Sequence, residues 1–202
     1  MRVTAETKSA TRQRILEAAT ALFRNGGWES TTTRAIATAS GIATGTLFNY
    51  FQSKEAIAAT LVCDALEHAR QGFRPGGSIE EDLFLLIWEG LKSLREFRSF
   101  LAPVVETVFS PLARPSKESP GDSIRVSHLE LVEELLAGHG IAGPLPVLTV
   151  QLYWTLYLGV LAYWAADSSR NQEDTLALLD QSLKLFIASL PTGGGKHGCE
   201  SE

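Results

Sequence analysis

One stretch constrains the chain more than any other: residues 32–54, TTRAIATASGIATGTLFNYFQSK. An apolar-periodic segment opens at a threonine, a glycine stands at position 41, and a second short segment ends in aromatics. These are the signals of two helices joined by a tight turn. Thr32 suits the N-cap, because its hydroxyl can accept from the free amides of the first turn, and Ala35, Ile36 and Ala39 then fall on one apolar side. The first helix is expected to end near Ser40. Gly41 follows, free to take positive φ and reverse the chain, and Ile42 fills the angle between the helices. The second helix is expected from about Thr44. Leu47 and Phe51, at i and i+4, face the core and leave Thr44, Gly45, Thr46, Phe48, Asn49 and Tyr50 near the outer face. A short helix presenting small and hydrogen-bonding groups is shaped for a major groove.

From about Thr11 to Leu61 the chain resembles the DNA-binding domain of the TetR family of bacterial repressors. The run ILEAATALFRNGGWESTTTRAIATASGIATGTLFNYFQSKEAI carries that family's features in order. The resemblance implies an all-α fold of about nine helices, with a three-helix DNA-binding domain ahead of a helical ligand-binding and dimerisation domain. It also implies DNA contacts from Thr33 and Arg34 on the first helix, Thr44, Thr46, Asn49 and Tyr50 on the second, and Lys54 opening the next. Three departures stand out. Ala35 replaces an acidic residue that closes a capping box in many members, so Thr32 caps alone. Ala43 replaces a common serine, which makes Thr44 the nearest cap, and Phe48 replaces a tyrosine, losing a hydroxyl that would reach a phosphate.

Net charge, −5, argues at first against a nucleic-acid partner, but its distribution reverses that. Residues 1–60 hold seven Lys and Arg against four Glu, a net +3, and the remainder is −8. A basic head on an acidic body suits DNA contact through one end. The two cysteines, Cys63 and Cys199, lie in no zinc-binding spacing and are expected to be reduced thiols, with no metal and no cofactor. Residues 1–14 are polar and charged, without the apolar run of a leader, so the expected compartment is the cytoplasm.

Along the chain, residues 8–25 read as a first helix with Ile15, Ala18, Ala19, Leu22 and Phe23 inward, stopped by Gly26 and Gly27. Trp28 is expected to fill the gap between that helix and the next pair. A linking helix follows from Lys54 to about Gln71, with Ile57, Leu61, Ala65 and Ala69 along one side. Ser78 and Glu81 form a capping box for a helix expected to reach about Phe97, with Leu83, Leu86, Ile87, Leu91 and Leu94 inward. Pro103 starts or bends a helix running to about Ser110. Residues 111–122, with three prolines, read as a mobile loop, and 123–138 as helix.

Residues 145–166, LPVLTVQLYWTLYLGVLAYWAA, carry no charge over a bilayer-spanning length. Gln151 and two threonines within it, its mid-segment Tyr and Trp residues and the lack of flanking basic clusters favour a helix buried all round, partly by its own domain and partly by a partner. No membrane span is expected. Leu176, Leu179, Leu183, Phe186 and Leu190 then form the seam of a helix over 172–190 that packs lengthwise. Two such helices from each of two subunits would build a homodimer through residues about 145–190, which the resemblance also implies. Residues 191–202 read as a disordered tail. The expected domains are thus 1–54 for DNA binding and 55–190 for ligand binding and dimerisation.

A two-fold dimer whose recognition helices lie about 34 to 36 Å apart would read a near-palindromic operator in double-stranded DNA. Lys54 and Tyr50 would hold phosphates, and Arg34, Thr44, Thr46 and Asn49 are candidates for base edges. The resemblance implies a transcriptional regulator, a repressor released by a small molecule. Rings in the second domain point to an apolar or aromatic effector, with Trp88, Phe100, Phe109, His128, Tyr153 and Tyr157 as candidate contacts and Glu106, His128 and Gln151 as polar anchors. The alternative is a helix-turn-helix protein that works mainly through a protein partner and takes no small ligand. A collapsed centre would favour it. An enzyme is not expected: Glu106, His128 and Asp167 fall on separate helices, with no nucleophile elbow, phosphate loop or metal spacing.

Overall fold

The computed structural model describes residues 5–108, 120–141 and 143–190. Among them the fold is all helical: α1 (Ala5–Gly26), α2 (Thr33–Ala39), α3 (Thr44–Leu47), α4 (Lys54–Gly72), α5 (Ile79–Ser93), α6 (Leu101–Val108), α7 (Pro120–Gly138), α8 (Val147–Ala166) and α9 (Glu173–Ala188), with short 3-10 segments at Arg95–Phe100 and Arg170–Gln172. One apolar core runs through all of it, from Ile15 and Phe23 on α1 to Phe186 on α9. The long α4 joins the two ends, packing on α1 as well as on α5, α6 and α7.

The Ser78 and Glu81 capping box forms in both directions, and Leu83, Leu86, Ile87, Leu91 and Leu94 are all buried. The helix they start stops at Ser93, however, short of the expected Phe97. Leu94 takes φ −88, ψ 0, and the chain continues as a 3-10 segment. The cause is the spacing of the next large residues: Leu94, Phe97 and Phe100 recur every third position, the 3-10 period, and all three are buried. Pro103 sits in the first turn of α6, where it costs no helical hydrogen bond. Pro120 opens α7 three residues before the expected start, since a first helical position needs no amide. Of the expected loop, residues 111–119 lie outside the described residues and 120–122 are helical.

On α4 the stripe Leu61, Ala65 and Ala69 is only half-buried. The fully buried side is a wider one, Ile57, Ala58, Ala59, Thr60, Val62, Cys63 and Leu66, because four other helices press on it. Cys63 is a free buried thiol, and burial, with help from Asp64, pushes its pKa up to about 12. The α9 seam packs lengthwise as expected. Leu179, Leu183, Phe186 and Leu190 are buried within their own chain, against α5 and α8, so the side of α9 left open is that of Gln181 and Leu185.

Helix α8 is long and apolar enough to cross a membrane by length and composition alone. Within the single chain one side of it is buried. Tyr153, Trp154, Tyr157, Leu161 and Trp164 pack inward, while Val147, Leu148, Leu152 and Tyr163 stay exposed. Arg98 fixes its end: Nε donates to the Trp164 carbonyl at 2.8 Å, a terminal nitrogen donates to the Asp167 carbonyl, and the guanidinium lies over the Trp164 ring. A cation there complements the negative end of the helix and adds a donor to the Trp164 carbonyl, which also accepts from the Asp167 amide at 3.4 Å. A second polar clasp joins distant loops. Asp82 accepts from the amides of Gly76 and Gly77 at 2.8 and 2.9 Å and pairs with His139 Nε2 at 2.9 Å. Burial pushes the Asp82 carboxyl up, but these partners outweigh it and its pKa lies below the ordinary value.

Candidate DNA-binding face

The head is built as the residues require. Thr32 stands before α2 in extended backbone and its hydroxyl accepts from the Ala35 amide at 3.1 Å. Gly41 takes φ +69, the left-handed turn that a side chain resists, and Ile42 packs half-buried against the core. Behind the turn, Ile36, Ala37, Leu47 and Phe51 are buried. Ala39, expected inward, is exposed; Ala37 takes that place beside Ile36.

Two further expectations change at α3. Ala43 occupies its N-cap with no side-chain bond, and Thr44 is its first helical residue rather than its cap. The helix proper is a single turn, Thr44–Leu47, after which turn bonds from Asn49 to Thr46 and from Phe51 to Leu47 carry the chain on. Along this edge Thr46, Phe48 and Asn49 are exposed, Thr44 and Tyr50 half-buried, and on α2 Arg34 is exposed beside half-buried Thr33. Phe48 is 48% exposed. The sequence reading counted only the hydroxyl that Phe48 lacks; an exposed phenyl ring is also a group able to pack on a thymine methyl.

Lys54 opens α4 behind a Ser53 cap, but its side chain is not idle in solvent. Nζ donates to the Trp28 carbonyl at 2.8 Å and lies 4.1 Å from the centre of the Trp28 ring. Trp28 fills the expected gap and reaches further, packing on Phe23 at 5.1 Å and stacking on Phe100 at 5.9 Å. Arg24 on α1 forms an ion pair with Glu96 on the same 3-10 segment. The head is thereby tied to the body at Phe100 and Glu96.

Of the residues expected around an effector, His128, Tyr153 and Tyr157 come together. A 2.8 Å hydrogen bond joins His128 Nε2 to the Tyr153 hydroxyl, and the His128 ring stacks on Tyr157 at 4.5 Å. Burial, with a smaller push from Arg70, lowers the His128 pKa to about 4, so the ring is neutral at pH 7. Phe100 stands apart, 1% exposed in the stack with Phe23 and Trp28. Trp88 is half-buried on α5 and lines neither central cavity. Phe109 lies outside the described residues. Glu106 and Gln151 are exposed and anchor nothing inside, while Asp167 is occupied in accepting from Thr175 and Ser169. The cavities beside the cluster hold about 20 Å³ between α4, α5 and α7 and about 10 Å³ between α5, α8 and α9.

Comparison with known proteins agrees with this geometry. Residues 15–61 match the sequence profile of the bacterial regulatory proteins of the tetR family. The HTH-type transcriptional regulator UidR of Escherichia coli is 39% identical over 64 residues, 32% of this chain and 33% of that protein. The aligned part thus spans about a third of the length of the curated relatives. Over nearly the whole chain, the structure of Thermus thermophilus FadR, a TetR family transcriptional repressor solved in complex with lauroyl-CoA, matches with a TM-score of 0.64 at 25% identity, covering 91% of this chain and 100% of that one. A TetR transcriptional regulator from a Rhodococcus species matches with a TM-score of 0.69 at 17% identity, covering 92% and 99%. With the capped α2, the Gly41 turn and the exposed edge of α3 inside the matched segment, residues 15–61 form a DNA-binding domain of the tetR type, and the chain as a whole shares the fold of TetR-family regulators.

Proposed function

We propose that this chain is a sequence-specific, DNA-binding transcriptional repressor that works in the cytoplasm as a homodimer, with residues 1–54 as the head and 55–190 as the body. The observation that carries this reading is the sorting of α2 and α3 into two sides: Arg34, Thr46, Phe48 and Asn49 outward, Ile36, Ala37, Leu47 and Phe51 inward. Arg34, Thr44, Thr46 and Asn49 read bases, while Thr33, Tyr50 and Lys54 fix register on phosphates. The dimer forms through the open sides of α8 and α9, where Leu148, Leu152, Tyr163 and Leu185 lie without cover in the single chain.

Lauroyl-CoA in the Thermus thermophilus relative supports an acyl thioester as the first compound to try. It would enter beside Arg70 and His128 and would have to part α7 from α4, since the cavities there are far below the roughly 300 Å³ of a typical ligand site. That small size favours a second reading, regulation through a protein partner with no small ligand.

The test is a gel shift on DNA upstream of the chain's own gene, across a salt series, against unrelated DNA and with added lauroyl-CoA. Specific binding with log K falling by about 0.9 per phosphate neutralised supports the DNA reading. No binding at low salt to operator or unrelated DNA removes it. Release by lauroyl-CoA selects the small-ligand reading, and indifference to it the protein-partner one.

A further inference from the structure

Room for a ligand exists elsewhere, where head meets body. A groove of about 700 Å³, open along one side, runs between α1, α4 and the 3-10 segment Arg95–Phe100, within the size range of small-molecule sites. Leu16, Leu61, Ala65 and Phe97 give it an apolar lining, which accounts for the half-buried stripe on α4. The charges around it are unequal. Glu17, Asp64 and Glu96 line it against one guanidinium, Arg24, which is already bonded to Glu96, and His68. Glu17 has a neutral partner, Gln13, at 3.2 Å, and Asp64 has only Arg12, 3.9 Å away outside the groove. Burial raises the Asp64 pKa and Arg12 lowers it in part, while the Asp64 side chain stays 60% exposed at the rim of the groove, open to a cation.

We propose that this groove binds a small organic cation with an apolar body, the body lying on Leu61, Ala65 and Phe97 and the charged head facing Glu17 and Asp64. An anionic ligand meets the wrong sign there. A neutral one gains the apolar contact but leaves the carboxylates as they were. The site also touches the ties between head and body. Glu96 holds Arg24, and Phe97 packs at 5.7 Å on Phe100, which stacks on the Trp28 that holds Lys54. The inference goes beyond the DNA-binding reading and does not depend on it, since binding is measured without DNA.

Titration calorimetry on the full chain with octyltrimethylammonium, kept below micelle formation, tests it against octanoate and 1-octanol of the same chain length. The cation is expected to bind at least tenfold more tightly than either. Glu17→Gln and Asp64→Asn, both on the solvent side of the groove, are each expected to weaken it by about twofold to fivefold. Glu80→Gln, an exposed carboxylate at the start of α5, controls for net charge and is expected to change nothing. Unchanged far-UV circular dichroism and melting temperature establish that the variants fold. Equal binding of all three probes overturns the proposal. So does an effect of Glu80→Gln as large as that of Glu17→Gln, or no heat with the cation.

Discussion

The Lys54 ammonium donates to the Trp28 carbonyl at 2.8 Å while lying 4.1 Å from the centre of the same residue's ring. The ring stacks in turn on Phe100, at the junction of the 3-10 segment and α6. A side chain at the start of α4 is therefore linked through Trp28 to an aromatic of the body. Holding the ammonium at a carbonyl and a ring removes rotamers before any phosphate is met, which reduces the cost of ordering it on DNA.

Trp28→Leu is expected to weaken operator binding several-fold although residue 28 lies behind the contact surface, because Lys54 loses both its platform and its rigid neighbour. Lys54→Met is expected to weaken binding uniformly across sequences and to lower the salt slope by about 1 for each lysine lost. Fluorescence anisotropy across a salt series measures both, with melting curves to exclude unfolded Trp28→Leu. An unaltered affinity in folded Trp28→Leu would show that the tether has no part in DNA binding.

Arg34→Ala is expected to relax sequence choice at one position per half-site and to cost about 1–3 kcal/mol there. Phe48 offers a different kind of contact. If its exposed ring reads a thymine methyl, replacing that thymine by uracil in the operator weakens the native chain but leaves Phe48→Ala indifferent. Binding assays on the two operators against the two proteins settle it. Equal weakening of both proteins places the ring away from the methyl.

How much of this the residues announced depends on how local the cause was. The capped α2, Gly41 and the Ser78 and Glu81 box were legible because each is decided within four residues. The stop of α5 at Ser93 was less so: Leu94, Phe97 and Phe100 suit both a continuing α-helix and a 3-10 segment, and only the packing of Phe100 on Phe23 and Trp28 of the head, with Phe97 on Phe100, selects the second. The α9 seam was legible as a packing stripe, but not that α5 and α8 of the same chain cover it, since periodicity says that a side is buried and not by what. Phe100 was expected at an effector for the same reason. The groove left no mark beyond the stripe Leu61 and Ala65, because its carboxylates come from three separate elements.

His128 gives the body a pH dependence with a definite sign. Its pKa falls from 6.5 in the unfolded chain to about 4 in the fold, chiefly through burial. Between those values the unfolded chain binds more protons, so stability is full above pH 6.5 and drops as pH falls toward 4. At pH 5 the loss approaches a ceiling of about 2 kcal/mol relative to pH 7. His128→Gln keeps an amide that can bond the Tyr153 hydroxyl and cannot be protonated. Urea unfolding at pH 7 and pH 5 is expected to show the native chain losing more stability than this variant on acidification. Equal losses would mean that the His128 ring reaches solvent enough to titrate normally.

The open sides of α8 and α9 carry the last prediction. Leu185 is 56% exposed and Leu152 37% exposed, and between Leu152 and Tyr163 on α8 the exposed residues Thr155, Gly159 and Ala162 are small. Small residues flanked by large apolar ones let two helices approach closely, and a second copy of the same surface is self-complementary about a two-fold axis. In a monomer Leu185→Glu sits in water and is expected to change stability by no more than about 0.5 kcal/mol. In a dimer the same carboxylate is buried without a partner and costs several times that. Sedimentation of Leu185→Glu is therefore expected to show a folded monomer at concentrations where the native chain is a dimer. Operator affinity is expected to collapse to that of a single half-site, because the two heads no longer bind as one unit. A variant that remains dimeric would move the interface off this surface, and a native chain that is monomeric at every concentration would remove it altogether.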